Sequence, residues 1–301
     1  MNGTPEFNTD IPCYLCGDRS YHLLHRKDPF KVVKCKNCSF VYVTPRLASN
    51  SIIDLYGSAY WNSDRAMDYG YTDYLADSHL YLNTFKLRSL VIESYKQKPG
   101  KVLDVGCAAG FFLKVMQDKG WEAHGIEVSE TVAEHGRTQL GLENLRTGSI
   151  NTLEEMPRDY FDVITFWDVI EHLEDPGAAL KAAYPLLKED GVLIVETQNV
   201  ESAYAYLLGS SWQHYKHEEH LYHFSPITLR MLLSRAGFHI LENSPRYGGK
   251  QVTINFIIER VGKIHPFLPV LLSPLKVIGN WNLYLNFLDE MIAVARKSGN
   301  A

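Results

Sequence analysis

Short apolar runs along the chain alternate with stretches whose apolar positions recur at helical period. The runs Lys101–Val105, Ala123–Glu127, Leu142–Arg146, Phe161–Trp167, Gly191–Glu196, Phe238–Glu242 and Glu290–Ala295 are of strand length and bounded by turn or polar residues. Between them, Gly110–Lys119, Ser129–Gln139, Gly177–Leu187 and Pro226–Ala236 carry the longer period of helices, the last opened by a Ser-Pro pair. A further helix is predicted over Ala76–Lys96, with Leu80, Leu87, Leu90 and Val91 on one face, before Pro99-Gly100. Repeated strand–helix alternation predicts an α/β fold over residues 99–301: a doubly wound, seven-stranded, mostly parallel sheet covered by helices on both faces. Asp104, Glu127 and the pair Trp167-Asp168 fall at carboxyl ends of strands, where such sheets bind ligands.

Outside this region the pattern changes. Residues 1–45 contain Phe30, Val32 and Val33 alternating with polar residues, as in a short hairpin, and form a candidate small domain. Residues 46–98 join the Ala76–Lys96 helix to an aromatic stretch, Tyr56, Tyr60, Trp61, Tyr69, Tyr71 and Tyr74. That stretch reads either as a lid over a site or as a layer packing the small domain onto the large one. Residues 246–288 form an insertion between the sixth and seventh strands. Its apolar part, Gln251–Gly279, is broken by Pro266, Pro269 and Pro274, which predicts short helices capping the site rather than a membrane span. Shallow contact with a lipid-linked substrate stays open for it. Met1–Asn8 reads as a flexible leader.

Composition adds bounds. With 301 residues and 46% hydrophobic content, the chain can bury one large domain and a small appendage. Its net charge of −5 argues against broad nucleic-acid binding, which needs a basic surface. No apolar run reaches transmembrane length and no signal-peptide pattern opens the chain, so a cytoplasmic protein is expected.

The candidate chemistry centres on Val102-Leu103-Asp104-Val105-Gly106-Cys107-Ala108-Ala109-Gly110-Phe111-Phe112, a strand that breaks into a small-residue turn and a helix start. Gly106 and Gly110 are expected to let a ligand approach the backbone. Glu127 ends the next strand, where a carboxylate can hold the two ribose hydroxyls of a nucleoside cofactor. A dinucleotide site would show G-x-G-x-x-G. Here the glycines stand four apart, with Asp104 beside them, which suits an amino-acid ammonium better than a pyrophosphate. At these residues the sequence resembles the class I S-adenosylmethionine-dependent methyltransferases, with Ala108 where that family more often has glycine. The resemblance implies a Rossmann-like methyltransferase fold with strand order 3-2-1-4-5-7-6 and an antiparallel last strand. It implies S-adenosylmethionine as cofactor, contacted by Asp104, Gly106, Cys107, Ala108, Gly110 and Phe111. Glu127 and Val128 would add to these, as would Ser149 and Ile150 after the third strand and Trp167, Asp168 and His172 after the fourth.

The cysteines are grouped. Cys13-x2-Cys16 and Cys35-x2-Cys38 are separated by eighteen residues, a spacing that lets four thiolates close a structural tetrahedral zinc site. Disulfides are the alternative, though nothing marks the chain as secreted. Cys107 reads as a packing residue.

In His214-Tyr215-Lys216-His217-Glu218-Glu219-His220-Leu221-Tyr222-His223, four histidines recur every third residue. A metal site, a solvated loop and a general base are all compatible with it. The Glu219-His220-Leu221 segment resembles that of bacterial sugar methyltransferases carrying an N-terminal zinc ribbon, which implies His220 as base with Glu219 beside it. A sugar hydroxyl is a poor nucleophile and must lose its proton, so O-methylation of a sugar or glycan precursor is the expected reaction. Sugar C-methylation, an RNA methyltransferase gripping nucleic acid with its ribbon, and a non-catalytic cofactor-binding regulator are the alternatives.

Overall fold

The computed structural model describes residues 7–9, 11–47, 77–264 and 267–299. The aromatic stretch from Tyr56 to Tyr74 lies outside the described residues. The amino-terminal part contains β1 (Phe7–Asn8), β2 (Tyr21–Lys27), β3 (Phe30–Cys35), β4 (Val41–Thr44) and β5 (Arg46–Leu47). Phe7 and Asn8, expected as part of a leader, instead pair with β5, and the Phe7 ring meets Phe30 at 5.8 Å.

Next come α1 (Ser78–Tyr95), β6 (Lys101–Val105), α2 (Phe111–Asp118), β7 (Glu122–Glu127), α3 (Glu130–Leu140), β8 (Leu145–Thr147) and β9 (Phe161–Trp167). They are followed by α4 (Pro176–Ala183), β10 (Leu187–Gln198), α5 (Ala203–Leu208), β11 (Tyr222–His223), α6 (Pro226–Arg235) and β12 (Phe238–Ser244). The chain closes with β13 (Lys250–Thr253), α7 (Ile254–Ile264), α8 (Leu268–Leu271), β14 (Asn282–Leu285) and β15 (Glu290–Lys297). The central seven-stranded sheet runs β12-β15-β10-β9-β6-β7-β8, with β15 antiparallel to both neighbours and the other pairs parallel. This is the expected order.

Element edges differ where local chemistry intervenes. The helix expected to reach Leu187 stops at Ala183, because Pro185 cannot donate into an α-helix; a tight turn over Tyr184–Leu186 follows. The third strand begins at Leu145 rather than Leu142. On α1 the buried positions are Leu80, Thr84, Arg88, Ser89, Val91 and Ile92, while Leu90 is exposed. The inward face is rotated from the one the leucines suggest, because Arg88 has buried carboxylates to meet.

The cysteine-bearing strands share a core with the large sheet. Strands β2, β3 and β4 form a sheet whose fourth strand is β11, taken from the histidine-rich segment. Phe40 is fully buried, stacks on Tyr222 at 5.4 Å and packs at a tilt against Phe224 at 5.3 Å. Val32, Val33 and Val43 belong to one apolar cluster with Ile164, Phe166, Leu180 and Leu229 of the large domain. Because that cluster is continuous, the two parts should unfold together. Phe40→Ala should therefore cost about 3–5 kcal/mol in a single urea transition followed by both fluorescence and far-UV dichroism. Two separated transitions would show that the small sheet folds on its own.

Candidate active site

Three carboxyl-terminal strand ends meet at the glycine-bearing turn. Gly106, Ala108 and Gly110 all have positive φ, at 74°, 48° and 81°. Ala108 therefore occupies a conformation that glycine takes without strain. A Cβ on Gly106 would lie 2.7 Å from Val169, and one on Gly110 would lie 2.3 Å from Leu142. Both glycines thus also answer to backbone conformation and to packing inside the protein.

Glu127 closes the turn: its carboxylate accepts from the Ala108 and Ser129 backbone N–H groups, both at 2.9 Å. Burial raises its pKa and these hydrogen bonds oppose the rise. Asp104 is buried one strand away and accepts from the Thr165 hydroxyl at 2.7 Å. Burial pushes its carboxyl up to about 8, against the Thr165 hydrogen bond. Phe111 stacks on Tyr81 at 5.7 Å. Val128 is exposed beside Glu127. Ser149 caps a tight turn by accepting from the Asn151 N–H, and Ile150 packs half-buried against the core. Cys107 is buried, and burial first of all holds its thiol protonated, as suits a packing residue.

Trp167, expected among the cofactor contacts, is 6% exposed and packs between Phe85 and Phe112. Its neighbour Asp168 opens a charged cluster that the sequence reading missed. Arg88 on α1 lies 2.7 Å from Glu196, 3.6 Å from Glu290 and 4.0 Å from Asp168. Lys250 reaches Glu290 at 2.8 Å and Asp168 at 3.4 Å. Burial alone would raise the Asp168 carboxyl, but Lys250 and Arg88 hold it down at about 2. The available signal was Arg88 itself, in helical register with Leu80, Thr84 and Val91 on an inward stripe.

His214 and His223 stay near His220, at ring-centroid distances of 6.3 and 6.2 Å, but the four histidines face different partners. His214 faces Asp289 and Glu290, His217 meets His25 of the small sheet, and His223 packs near Tyr215. His220 is buried and meets the His172 ring at 4.6 Å. Burial, then the charges of its neighbours, depresses His220 far below the ordinary histidine value. Burial also lowers His172 to about 3. The carboxylate grouped with them is Glu171, since donor atoms of Glu171, His172 and His220 lie within 4.8 Å of one another. That donor set also suits a divalent cation. Glu171 accepts from Thr197 at 2.9 Å and is pushed up to about 8, mainly by burial. Glu219, expected beside His220, directs its carboxylate to Lys216 at 3.7 Å instead.

A second donor group lies in the small sheet. Sγ of Cys13 is 3.4 Å from that of Cys38, Sγ of Cys16 is 3.5 Å from that of Cys35, and all four lie within 4.8 Å of one another. Zinc–sulfur bonds of about 2.3 Å imply tetrahedral edges of about 3.8 Å, so the tetrad fits zinc.

A doubly wound sheet in this order, with an acidic strand end leading into the Gly106–Gly110 turn, is the architecture of the class I S-adenosylmethionine-dependent methyltransferases. The chain belongs to the methyltransferase domain family, whose model matches residues 78–243. It is similar to the ubiquinone biosynthesis O-methyltransferase of Pseudomonas putida (strain W619), with 37% identity over 113 residues, 36% of this chain and 48% of that protein. A Shewanella sp. (strain ANA-3) protein of the same name is 32% identical over 122 residues, covering 37% of this chain and 50% of its own length. The matched segment thus spans about half of these relatives. In fold the chain resembles a SAM dependent methyltransferase from Archaeoglobus fulgidus, with a TM-score of 0.50 and 22% identity over 74% of this chain and 99% of that one. It also resembles 1,6-didemethyltoxoflavin-N1-methyltransferase of Burkholderia thailandensis, with a TM-score of 0.52 and 14% identity over 92% of this chain and 99% of that one.

The site's protonation has a consequence for stability. Asp104 has an ordinary value of 3.8 and titrates near 8 in the fold. Its contribution is complete below the unfolded value and is lost as pH rises through the folded one. Histidines 172 and 220 act oppositely, losing their contribution as pH falls below the ordinary 6.5. Raising pH from about 6.5 to about 8.5 should therefore destabilise the wild type relative to Asp104→Asn by about 2 kcal/mol. Urea titrations of both proteins at the two pH values measure this, and a pH-independent difference would mean that Asp104 is ionised throughout.

Proposed function

We propose that the chain transfers the methyl group of S-adenosylmethionine to a hydroxyl of a small-molecule acceptor, with His220 as the proton-accepting base. The observation that carries this reading is the placement of a buried, neutral His220–His172 pair at the same edge of the sheet as the Asp104–Glu127 turn. The cofactor would supply a methyl group already activated on a sulfonium. In that case the chain's task is to orient the acceptor and remove its proton. Glu127 would hold the ribose hydroxyls and Asp104 the ammonium, with Gly106, Cys107, Ala108, Gly110 and Phe111 lining the turn. Val128, Ser149 and Ile150 would border the adenine, and Trp167 would support the site from beneath.

His220 keeps a ring lone pair free near pH 7. Burial makes it a weaker base than a solvated imidazole, so its basicity in the reaction depends on the bound acceptor and its neighbours. His172 packs against its ring, and a carboxyl oxygen of Glu171 lies within 4.8 Å of a ring nitrogen of each. The O-methyltransferase names of the relatives support a hydroxyl acceptor. A sugar or glycan precursor rests on the resemblance of the Glu219-His220-Leu221 segment alone, and a cytoplasmic location on the sequence. Zinc held by Cys13, Cys16, Cys35 and Cys38 would pin the small sheet against the site.

Binding is tested by calorimetry and transfer by mass spectrometry after incubation with methyl-labelled cofactor and panels of hydroxylated acceptors. His220→Ala should lower kcat by about 100-fold or more while leaving cofactor affinity within about twofold. Because burial depresses His220, the acid limb of the wild-type pH profile should fall below the usual histidine range. A variant with near-normal kcat would remove His220 from the reaction.

The zinc assignment has its own expected outcome. Metal analysis should find one zinc per chain in wild type and none in Cys35→Ser. Chelation should lower the melting temperature of the whole protein, because the tetrad's strands belong to the common core. Full zinc retention in Cys35→Ser would contradict the site.

A further inference from the structure

The insertion between β12 and β15 presents apolar side chains outward. Val277 is 92% exposed, Leu271 74% and Trp281 65%, with Val270 and Leu275 beside them. These residues lie on α8, on the tight turn Ser273–Ile278 that follows it, and just before β14. The segment is anchored from within: Ile254 and Ile258 of α7 are buried, and β13 pairs with β14. Its far end stacks Phe287 on Tyr204 of α5, whose Tyr206 and Leu207 are also exposed. The apolar surface therefore continues past the insertion. Exposed apolar side chains gathered in this way mark a contact surface rather than ordinary scatter.

Charge decides what covers it. Lys250 is committed to Asp168 and Glu290. The other charges of residues 246–288 are Arg246, Arg260, Lys263 and Lys276 against the single acid Glu259, a surplus of +3 in a chain whose total is −5. A second copy docking face to face would bring two such segments together and repel. An anionic bilayer offers an apolar interior for the exposed side chains and negative headgroups that suit the segment's net positive charge. No helix among the described residues is long and apolar enough to cross a membrane, so the contact is peripheral.

We infer that the 246–288 insertion docks the protein onto an anionic lipid surface through Val270, Leu271, Leu275, Val277 and Trp281. Lys250, at the root of the insertion, reaches Asp168 and Glu290 in the site. On the methyl-transfer reading, docking would bring that site next to the bilayer and favour an acceptor with a lipid tail. The docking itself does not rest on that reading.

Flotation of the full chain with phosphatidylcholine vesicles containing phosphatidylglycerol should recover the protein, with binding about tenfold or more weaker to phosphatidylcholine alone and falling as salt rises. Trp281 emission should shift to the blue on binding, and Trp281→Phe should remove that shift. The double variant L271E/V277E should bind the anionic vesicles at least about tenfold more weakly. Its melting temperature and cofactor affinity should stay those of wild type, which separates lost docking from lost folding. Equal recovery with both vesicle types, no recovery with either, or undiminished binding by the double variant would overturn the inference. So would light scattering that finds a wild-type dimer broken by the same substitutions while vesicles go unbound, since a second copy would then cover the surface. Absence of cofactor binding in an otherwise vesicle-bound protein would count against the proposed function alone.

Discussion

The position of one two-residue strand governs how this molecule is joined. On one side β11 pairs with β4, and the Val43 N–H donates to the Leu221 carbonyl at 3.0 Å. On the other, the Leu221 N–H donates to the Glu171 carbonyl at 2.9 Å. The Tyr222 hydroxyl fixes the same segment at a third point, accepting from Arg46 at 3.0 Å and donating to the Glu174 carbonyl at 2.8 Å. His220 is next to this clamp, so the cysteine-bearing sheet and the loop after β9 together decide where its ring stands. The small sheet is thus part of the site's scaffold, and it shares the core that keeps water from its backbone groups.

Burial then divides the acidic residues of the site into two kinds. Asp104 and Glu171 lose solvent without gaining a cation in contact, so their carboxyls hold protons to about 8. Asp168 loses solvent too, but Lys250 and Arg88 stand close enough to keep it ionised. Arg88 ties α1 to β10, to β15 and to the turn after β9. Removing it would strand several carboxylates in a low-dielectric interior, where uncompensated charge is most costly. Charge pairing of this kind fixes the geometry of the strand ends more than it adds stability.

The cofactor edge and the acceptor edge differ in how they are built. The Gly106–Gly110 turn and Glu127 come from adjacent parallel strands and are held by backbone hydrogen bonds. The histidine edge is assembled from segments about fifty residues apart in the chain, brought together by strand pairing and ring packing. Its geometry therefore depends on many weak contacts and on the small sheet behind them.

Read alone, the sequence determined the sheet, its strand–helix alternation, the acidic strand ends and the cysteine tetrad, because each is written in local spacing and period. Lys101–Val105 and Phe161–Trp167 were legible to the residue, since continuous apolar runs bounded by turns leave little choice. Only the tertiary structure decided that Glu171 rather than Glu219 stands with His220, that Arg88 faces inward in place of Leu90, and that Trp167 belongs to the core. It also decided that the small sheet takes its last strand from the large domain. Those facts depend on contacts between residues distant in the chain and on the cost of burying charge without a partner, and neither leaves a periodic trace in the sequence.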